Sequence, residues 1–247
     1  MTDQYAVIGN PIGHTKSPLI HSIFAQATRQ DMHYSAIEGP LEPEGAFADV
    51  VRAFAASGGK GINITAPFKL QAFAMSDERS ERAALAGAAN ALKFEGGRIL
   101  ADNFDGIGLV RDIEINLGLP MAGKRVLMLG AGGAARGALL PFLAAGPAEM
   151  VVANRDVDKA RALSAQVAGR GPLAACGYAD LVAMGRFDLV VNATSASLAG
   201  DLPPVPPGVF SPTGAAYELA YGKRLTPFLR LARNAGVRRV ADGVGML

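Results

Sequence analysis

The sequence predicts an α/β protein of two domains, a small α/β domain followed by a doubly wound one. Two observations predict it. From Lys124 onward, short apolar runs alternate with helix-length segments, and the first hundred residues show the same rhythm in shorter form. Near-continuous apolar strands alternating with helices imply a parallel sheet covered on both faces.

In the first domain YAVIG (5–9), HYSAIE (33–38) and GINIT (61–65) read as strands. AANALKF and GRILAD flank a hairpin turn at Glu95-Gly96-Gly97-Arg98. Ser17-Pro18 reads as a helix start, with Ser as N-cap and Pro at the first helical position; Leu19, Ile20, Ile23, Phe24 and Ala27 then form one apolar face. Between Asn103 and Gly106 a strand gives way to the helix DGIGLVRDIEINL, which places the domain boundary there. Beyond it RVLMLG (125–130), EMVVAN (149–154), PLAAC (172–176), DLVVNAT (188–194), AAYELAY (215–221) and VRRVAD (237–242) read as up to six strands. Thr226-Pro227 repeats the helix-start signal ahead of Phe228, Leu229, Leu231 and Ala232.

Composition narrows the function. The 247 residues are 50% hydrophobic and 19% charged, with 30 Gly and 15 Pro, which argues against disorder, collagen-like repeats and a disulfide framework. A net charge of +2 with scattered basic residues offers no field for a polyanion, so nucleic acid is not an expected partner. The most apolar window, 126–146, contains Arg136, Pro141 and a glycine cluster, so it reads as strand, turn and helix and not as a membrane span. Cys176 has no partner in the chain, and the start MTDQYAVIGNP lacks a basic region followed by an apolar run; a cytoplasmic location is the expectation. His14, His21, His33 and the lone Cys show no metal-ligand spacing, and no Gly-x-Ser-x-Gly or Cys/His signature appears. No metal and no covalent nucleophile are therefore expected.

The strand RVLMLG runs into Gly130-Ala131-Gly132-Gly133-Ala134-Ala135, which fits G-x-G-x-x-G/A between a strand and a helix. The first Gly allows the tight turn, the second lets the backbone approach a pyrophosphate, and Ala135 keeps helix and strand close. Free N–H groups and the positive dipole end of the helix suit that anion, which makes this a Rossmann-type domain. A glycine turn needed only for packing is the plainer alternative. The next strand ends in Asn154-Arg155-Asp156, with Lys159 one helical turn on. Arg155 suits stacking on adenine and clamping the 2'-phosphate of NADP, and Lys159 adds charge. Asp156 would instead repel that phosphate or bind the 2'-hydroxyl of NAD, and for Asp156 and Lys159 a solvated charge cluster opening a helix is as common a role. The residues favour NADP.

A second cluster lies in the first domain: 9–18 (GNPIGHTKSP), 63–69 (NITAPFK), Ala89-Asn90 and 102–106 (DNFDG), each at the end of a strand or the start of a helix. Hydroxyls, amides, one amine and a carboxylate form the set needed to bind a polyhydroxylated, anionic small molecule. For any one Thr, Ser or Asn a cap or turn role is more common, and Ser17 is expected to cap. Lys69 with Asp105 is different, because a cleft Lys beside a carboxylate suits proton transfer. A cleft between two α/β units is a common place for a small-molecule site.

These segments resemble the shikimate dehydrogenases. The resemblance runs over essentially the whole chain, through YAVIGNPIGHTKSPLIH, GGKGINITAPFK, ERAALAGAANAL, ADNFDGIGLVRD, LGAGGAARG, VVANR, VNATSASLAG, YGKRLTPF and ADGVGML in the family's order. It implies a small-molecule oxidoreductase that reversibly reduces 3-dehydroshikimate to shikimate with NADP, as a monomer or homodimer. It implies a substrate domain of 1–104 plus 240–247 and an NADP domain of 105–239. Lys69 takes the role of general acid/base and Asp105 that of its partner. Thr15, Ser17, Thr65, Asn90 and Tyr221 align with substrate-contacting positions, and Asn63 lies in the same motif. Gly130, Ala131, Gly132, Gly133 and Ala134 align with the pyrophosphate loop, and Asn154, Arg155, Asp156 and Lys159 with the adenosine-phosphate clamp. Glu81, Leu219 and Gly243 align with further cofactor contacts, the last two near the nicotinamide. The chain departs from the usual pattern at Thr15 (Ser), Phe104 (Thr), Tyr217-Glu218-Leu219 (Tyr-Asp-Met), and at Asp156 and Lys159. The family continues past Gly-Met-Leu into a helix that carries a substrate-binding Gln and packs on the first domain. If Leu247 is the end, weaker binding or self-association is expected. An NAD-dependent quinate/shikimate dehydrogenase and a silent nucleotide-binding regulatory homologue are the alternatives.

Overall fold

A computed structural model describes residues 2–220, 222 and 225–246, apart from the side chain of Leu198. It divides into two compact units, Met1–Phe104 and Asp105–Leu247. In the first, β1 (Asp3–Gly9), β2 (Met32–Glu38), β3 (Gly59–Ile64), β4 (Glu78–Arg79), β5 (Ala91–Glu95) and β6 (Arg98–Asp102) form one sheet in the order β2-β1-β3-β5-β6-β4. β1 runs parallel to β2 and β3, whereas β5 is antiparallel to β3 and β6. Strand alternation sends Ala6, Ile8, Ile62, Ile64 and Leu92 to one face. There they meet Phe47 and Val51 of α2 (Ala46–Ala56), Phe68, and Ala72 of α3 (Lys69–Met75). The rings of Phe47 and Phe68 stack with centroids 4.7 Å apart.

One expectation fails at α1 (Ser17–Thr28). Ser17 does not cap it; Lys16 is the N-cap residue without a side-chain hydrogen bond, Ser17 is the first helical residue, and Pro18 follows. The apolar face read from Leu19, Ile20, Ile23, Phe24 and Ala27 is not buried, with Leu19, Ile23 and Phe24 exposed by 62, 54 and 56%. The helix instead leans on β2 through Ala25, its one buried residue, and through His21, whose ring stacks on Tyr34 at 4.1 Å. A short α4 (Glu81–Ala86), capped by Ser80 through Ala83 N–H, completes this unit.

The second unit opens with α5 (Asp105–Arg111), which passes into a π-helical turn over Asp112–Asn116. Its sheet contains β7 (Arg125–Leu129), β8 (Glu149–Ala153), β9 (Leu173–Cys176), β10 (Phe187–Asn192), β11 (Phe210–Glu218) and β12 (Arg239–Asp242) in the order β12-β11-β10-β7-β8-β9. All neighbouring pairs are parallel. This is the doubly wound order whose direction reverses between β7 and β10. Residues 126–129 of β7 have no exposed surface, as a central strand covered by helices requires. Helix α6 (Gly133–Ala144) follows β7, α7 (Val157–Gln166) follows β8, the single turn α8 (Leu181–Met184) follows β9, and α9 (Pro227–Asn234) follows β11, with Thr226 capping α9 as its Thr-Pro signal implies. The segment 240–247 is expected with the first domain; its described residues 240–246 group with this unit instead, where β12 pairs along β11. Cys176, the last residue of edge strand β9, is 3% exposed; burial, aided by Asp180, pushes its thiol up to about 11.

The π-helical turn is held by a buried pair. Tyr217 Oη donates to Asp112 Oδ2 at 2.6 Å, and Asn116 Nδ2 donates to Oδ1 at 2.7 Å. Burial, reinforced by Asp112, pushes the Tyr217 hydroxyl up and keeps it a donor. Tyr217→Phe leaves that carboxylate short of one donor, so the melting temperature is expected to fall by roughly 4–8 °C, equivalent to ~2 kcal/mol, in a thermal unfolding scan.

Candidate functional site

In the first unit the ends of β1 and β3 and the start of β5 bring the expected polar residues together. Gly9 ends β1 against Thr65 and Ala66; a Cβ there would lie 2.3 Å from Thr65 Cγ2, so only glycine fits. Asn10 N–H donates to Ala66 C=O at 3.1 Å, which ties the 9–18 loop to the 63–69 loop. Thr15 and Ser17, half-buried in the first of these loops, hold their hydroxyls 3.1 Å apart, and Ser17 N–H also donates to Thr15 Oγ1. Two adjacent hydroxyls at a helix start form a donor pair for a carboxylate.

The amides are oriented by their neighbours. Asn90 C=O accepts from Ile64 N–H at 2.8 Å and from Asn63 Nδ2 at 3.4 Å, and Asn90 Oδ1 accepts from Phe104 N–H at 2.9 Å. Tyr34 Oη donates to Asn63 Oδ1 at 2.6 Å, and burial pushes that hydroxyl well above its ordinary range. Lys69 opens α3, half-buried, and its carbonyl accepts from Ala89 N–H at 3.0 Å, which fixes the helix start beside Asn90. Thr15, Ser17, Asn63, Thr65, Lys69 and Asn90 thus share one backbone-bonded cluster. Asp105 follows the pinned Phe104 as the first residue of α5. Glu81 is exposed at the start of α4, where a carboxylate complements the helix dipole. Tyr221 lies outside the described residues.

In the second unit a cavity of about 1240 Å³ opens at the carboxyl ends of the strands, beside the β7/β10 switch point. Gly130, Ala131, Gly132, Gly133, Ala134, Asn154, Arg155 and Leu219 line it, eight of the residues expected at a cofactor site. Gly130 has φ +104°, and its Cβ would lie 3.1 Å from Thr194 Cγ2. Gly132 and Gly133 have no atom within 4 Å of where a Cβ would stand, so packing does not require their being glycine. Helix α6 has no side-chain N-cap, which leaves its first N–H groups directed at that space. Gly243 does not line the cavity but supports it: a Cβ would lie 2.2 Å from Leu219 C=O.

Asp156 neither lines the cavity nor presents its carboxylate to it. Its Oδ1 accepts from Asp158 N–H at 3.2 Å and Lys159 N–H at 3.4 Å as the N-cap of α7, and its Oδ2 stands 3.7 Å from Lys159 Nζ. Lys159 is thus drawn to Asp156, and among the described residues Arg155 is the cation on the cavity wall. Sequence reasoning missed Tyr178, Thr194, Ser195 and Pro203 as lining residues. Burial pushes the Tyr178 hydroxyl up and the charge of Arg155 opposes it. A signal for Thr194 and Ser195 was available, since both follow the strand beside the switch point. Among the described residues no group of three His, Cys, Asp or Glu is placed to hold a metal ion, and no helix is long and apolar enough to cross a membrane.

Residues 7–92 match the family model of the shikimate dehydrogenase substrate binding domain, and residues 114–199 match that of shikimate / quinate 5-dehydrogenase. The shikimate dehydrogenase (NADP(+)) of Nitrosospira multiformis is 52% identical over 247 residues, covering 100% of this chain and 88% of that protein. The chain belongs to the shikimate dehydrogenase family. Among solved structures, an Ael1 enzyme from Pseudomonas putida is 62% identical with a TM-score of 0.90, over 99% of this chain and 89% of that one. Shikimate 5-dehydrogenase from Thermus thermophilus, solved in complex with NADP(H) and shikimate, is 30% identical with a TM-score of 0.79, over 99% and 88%.

The open space before Gly132 separates two roles for that glycine. Gly132→Val is expected to keep the melting temperature within about 2 °C of the parent, because nothing is displaced. It is also expected to abolish dinucleotide binding in a titration, because the added methyls occupy the approach to the helix end.

Proposed function

We propose that this protein catalyses the reversible NADP-dependent reduction of 3-dehydroshikimate to shikimate. The observation that carries the reading is the first-unit cluster, where three hydroxyls, two amides and one amine stand on segments tied together by backbone hydrogen bonds at the ends of strands. That donor and acceptor set suits a small polyhydroxylated acid, and the full-length similarity to proteins named as NADP(+)-dependent shikimate dehydrogenases supports the choice of acid.

The second unit fits the cofactor. Gly132 and Gly133 leave the room a pyrophosphate needs, and the uncapped start of α6 offers it N–H donors. Arg155 is the candidate clamp for the 2'-phosphate, while Asp156 holds its carboxylate on the start of α7 and does not line the cavity. The dihydronicotinamide supplies the hydride when bound. Lys69 donates a proton to the carbonyl oxygen of the substrate as negative charge develops there, and takes it back from the hydroxyl in the reverse direction. Asp105 is its carboxylate partner. Thr15 and Ser17 are assigned to the substrate carboxylate, Asn63, Thr65, Asn90 and Tyr221 to its hydroxyls, and Leu219 and Gly243 to the nicotinamide side.

Lys69→Ala is expected to lower kcat by about 10²–10⁴ with a smaller change in the KM for shikimate, since proton transfer belongs to the transition state. Nicotinamide absorbance with shikimate or quinate against NADP or NAD reads this directly; unchanged turnover in the variant refutes the role. In the same assay Arg155→Ala is expected to raise the KM for NADP by about tenfold or more and to leave that for NAD nearly unchanged, because only NADP carries the clamped phosphate.

A further inference from the structure

Glu218 is a carboxylate with no exposed surface at the end of β11, and it carries no role in the chemistry above. Its Oε2 accepts from Asn192 Nδ2 at 2.9 Å, Ser197 Oγ at 2.5 Å and Thr226 Oγ1 at 3.2 Å, and its Oε1 accepts from Ala220 N–H at 3.3 Å. These donors come from the end of β10, the turn after it, the N-cap of α9 and the segment that leaves β11. Burying a charge is costly even when it is paired, and an apolar side chain of similar size often serves stability as well. Four converging donors specify geometry instead.

The geometry they specify is that of the cavity wall. Thr194, Ser195 and Ala196 line the cavity directly before Ser197, and Leu219 and Ala220 line it directly after Glu218. Asn192, held by Glu218, uses its Oδ1 to accept from Thr194 N–H at 3.1 Å and Thr194 Oγ1 at 2.7 Å. The Thr194 methyl in turn stands where a Cβ on Gly130 would meet it at 3.1 Å, so the two walls of the cavity are set against each other.

We propose that Glu218 is a positioning residue for the cofactor, a buried anchor that fixes the segments after β10 and β11 as the wall of the dinucleotide cavity facing the glycine loop. It touches neither substrate nor the reacting atoms. The inference rests on the reading of that cavity as the NADP site.

Two variants of the full chain test it, with NADP titrated directly and with both KM values measured. Glu218→Gln keeps the shape but turns one acceptor into a donor facing donors; Ser197→Ala removes a single hydrogen bond at the loop and cannot by itself unfold the domain. Glu218→Gln is expected to weaken NADP by about tenfold, or ~1.4 kcal/mol, and Ser197→Ala by roughly threefold. The KM for shikimate at saturating NADP should stay within about twofold in both. Unchanged NADP affinity in both variants, whatever happens to the melting temperature, overturns the inference and leaves Glu218 a structural residue. A parallel rise of both KM values in Ser197→Ala also overturns it. Failure of the parent protein to bind NADP overturns the cofactor reading instead, and this inference with it.

Discussion

A parallel strand that stops leaves backbone donors and acceptors that the sheet no longer pairs, and these must be satisfied by whatever the chain does next. In both units the functional groups stand where that demand is met. Ile8 C=O accepts from Thr65 N–H, Asn90 C=O from Ile64 N–H, and Asn192 C=O from Leu219 N–H, so each strand end is closed by the segment that carries the polar side chains. The same bonds that finish the sheets therefore position the polar groups proposed to meet ligands. A side chain on such a segment inherits the rigidity of the sheet below it, which is what proton transfer and hydride alignment require.

Much of this was legible in the sequence because strand ends have chemical signatures. The glycine loop after RVLMLG, the Asn63–Lys69 segment after GINIT and the Asn-Arg pair after EMVVA all announce themselves by a change from apolar to small or polar residues. The second sheet follows from its alternation of apolar runs and helices, since a central strand such as β7 can be nothing but apolar. Helix α1 shows where pattern reading fails. Leu19, Ile23 and Phe24 recur at helical spacing, yet the helix rests on β2 through Ala25 and the stacked His21, and periodicity does not say which face finds a partner. Ser17 fails for a related reason: Thr15 accepts from its N–H, so the chain is already turned before the helix begins.

Long-range polar contacts were not legible at all. The Asp112–Tyr217 pair spans 105 residues, and the side-chain donors on Glu218 come from three separate segments. No local pattern marks such partners, because a buried carboxylate looks in sequence like any surface acid. Asp156 is the converse. Its charge suggested a part in choosing the cofactor, whereas its cap on α7 is an ordinary use of Asp at a helix start, and the wall cation is left to Arg155.

Cys176 turns the edge of the second sheet into something that can be timed. It is the only sulfhydryl in the chain, it ends β9, and burial, which pushes its thiol up to about 11, disfavours the reactive thiolate at neutral pH. A thiol reagent therefore meets a silent protein until β9 leaves the sheet. The alkylation rate becomes a clock for local opening at that edge, two residues from Tyr178 on the cavity wall, and any ligand that braces the wall slows the clock.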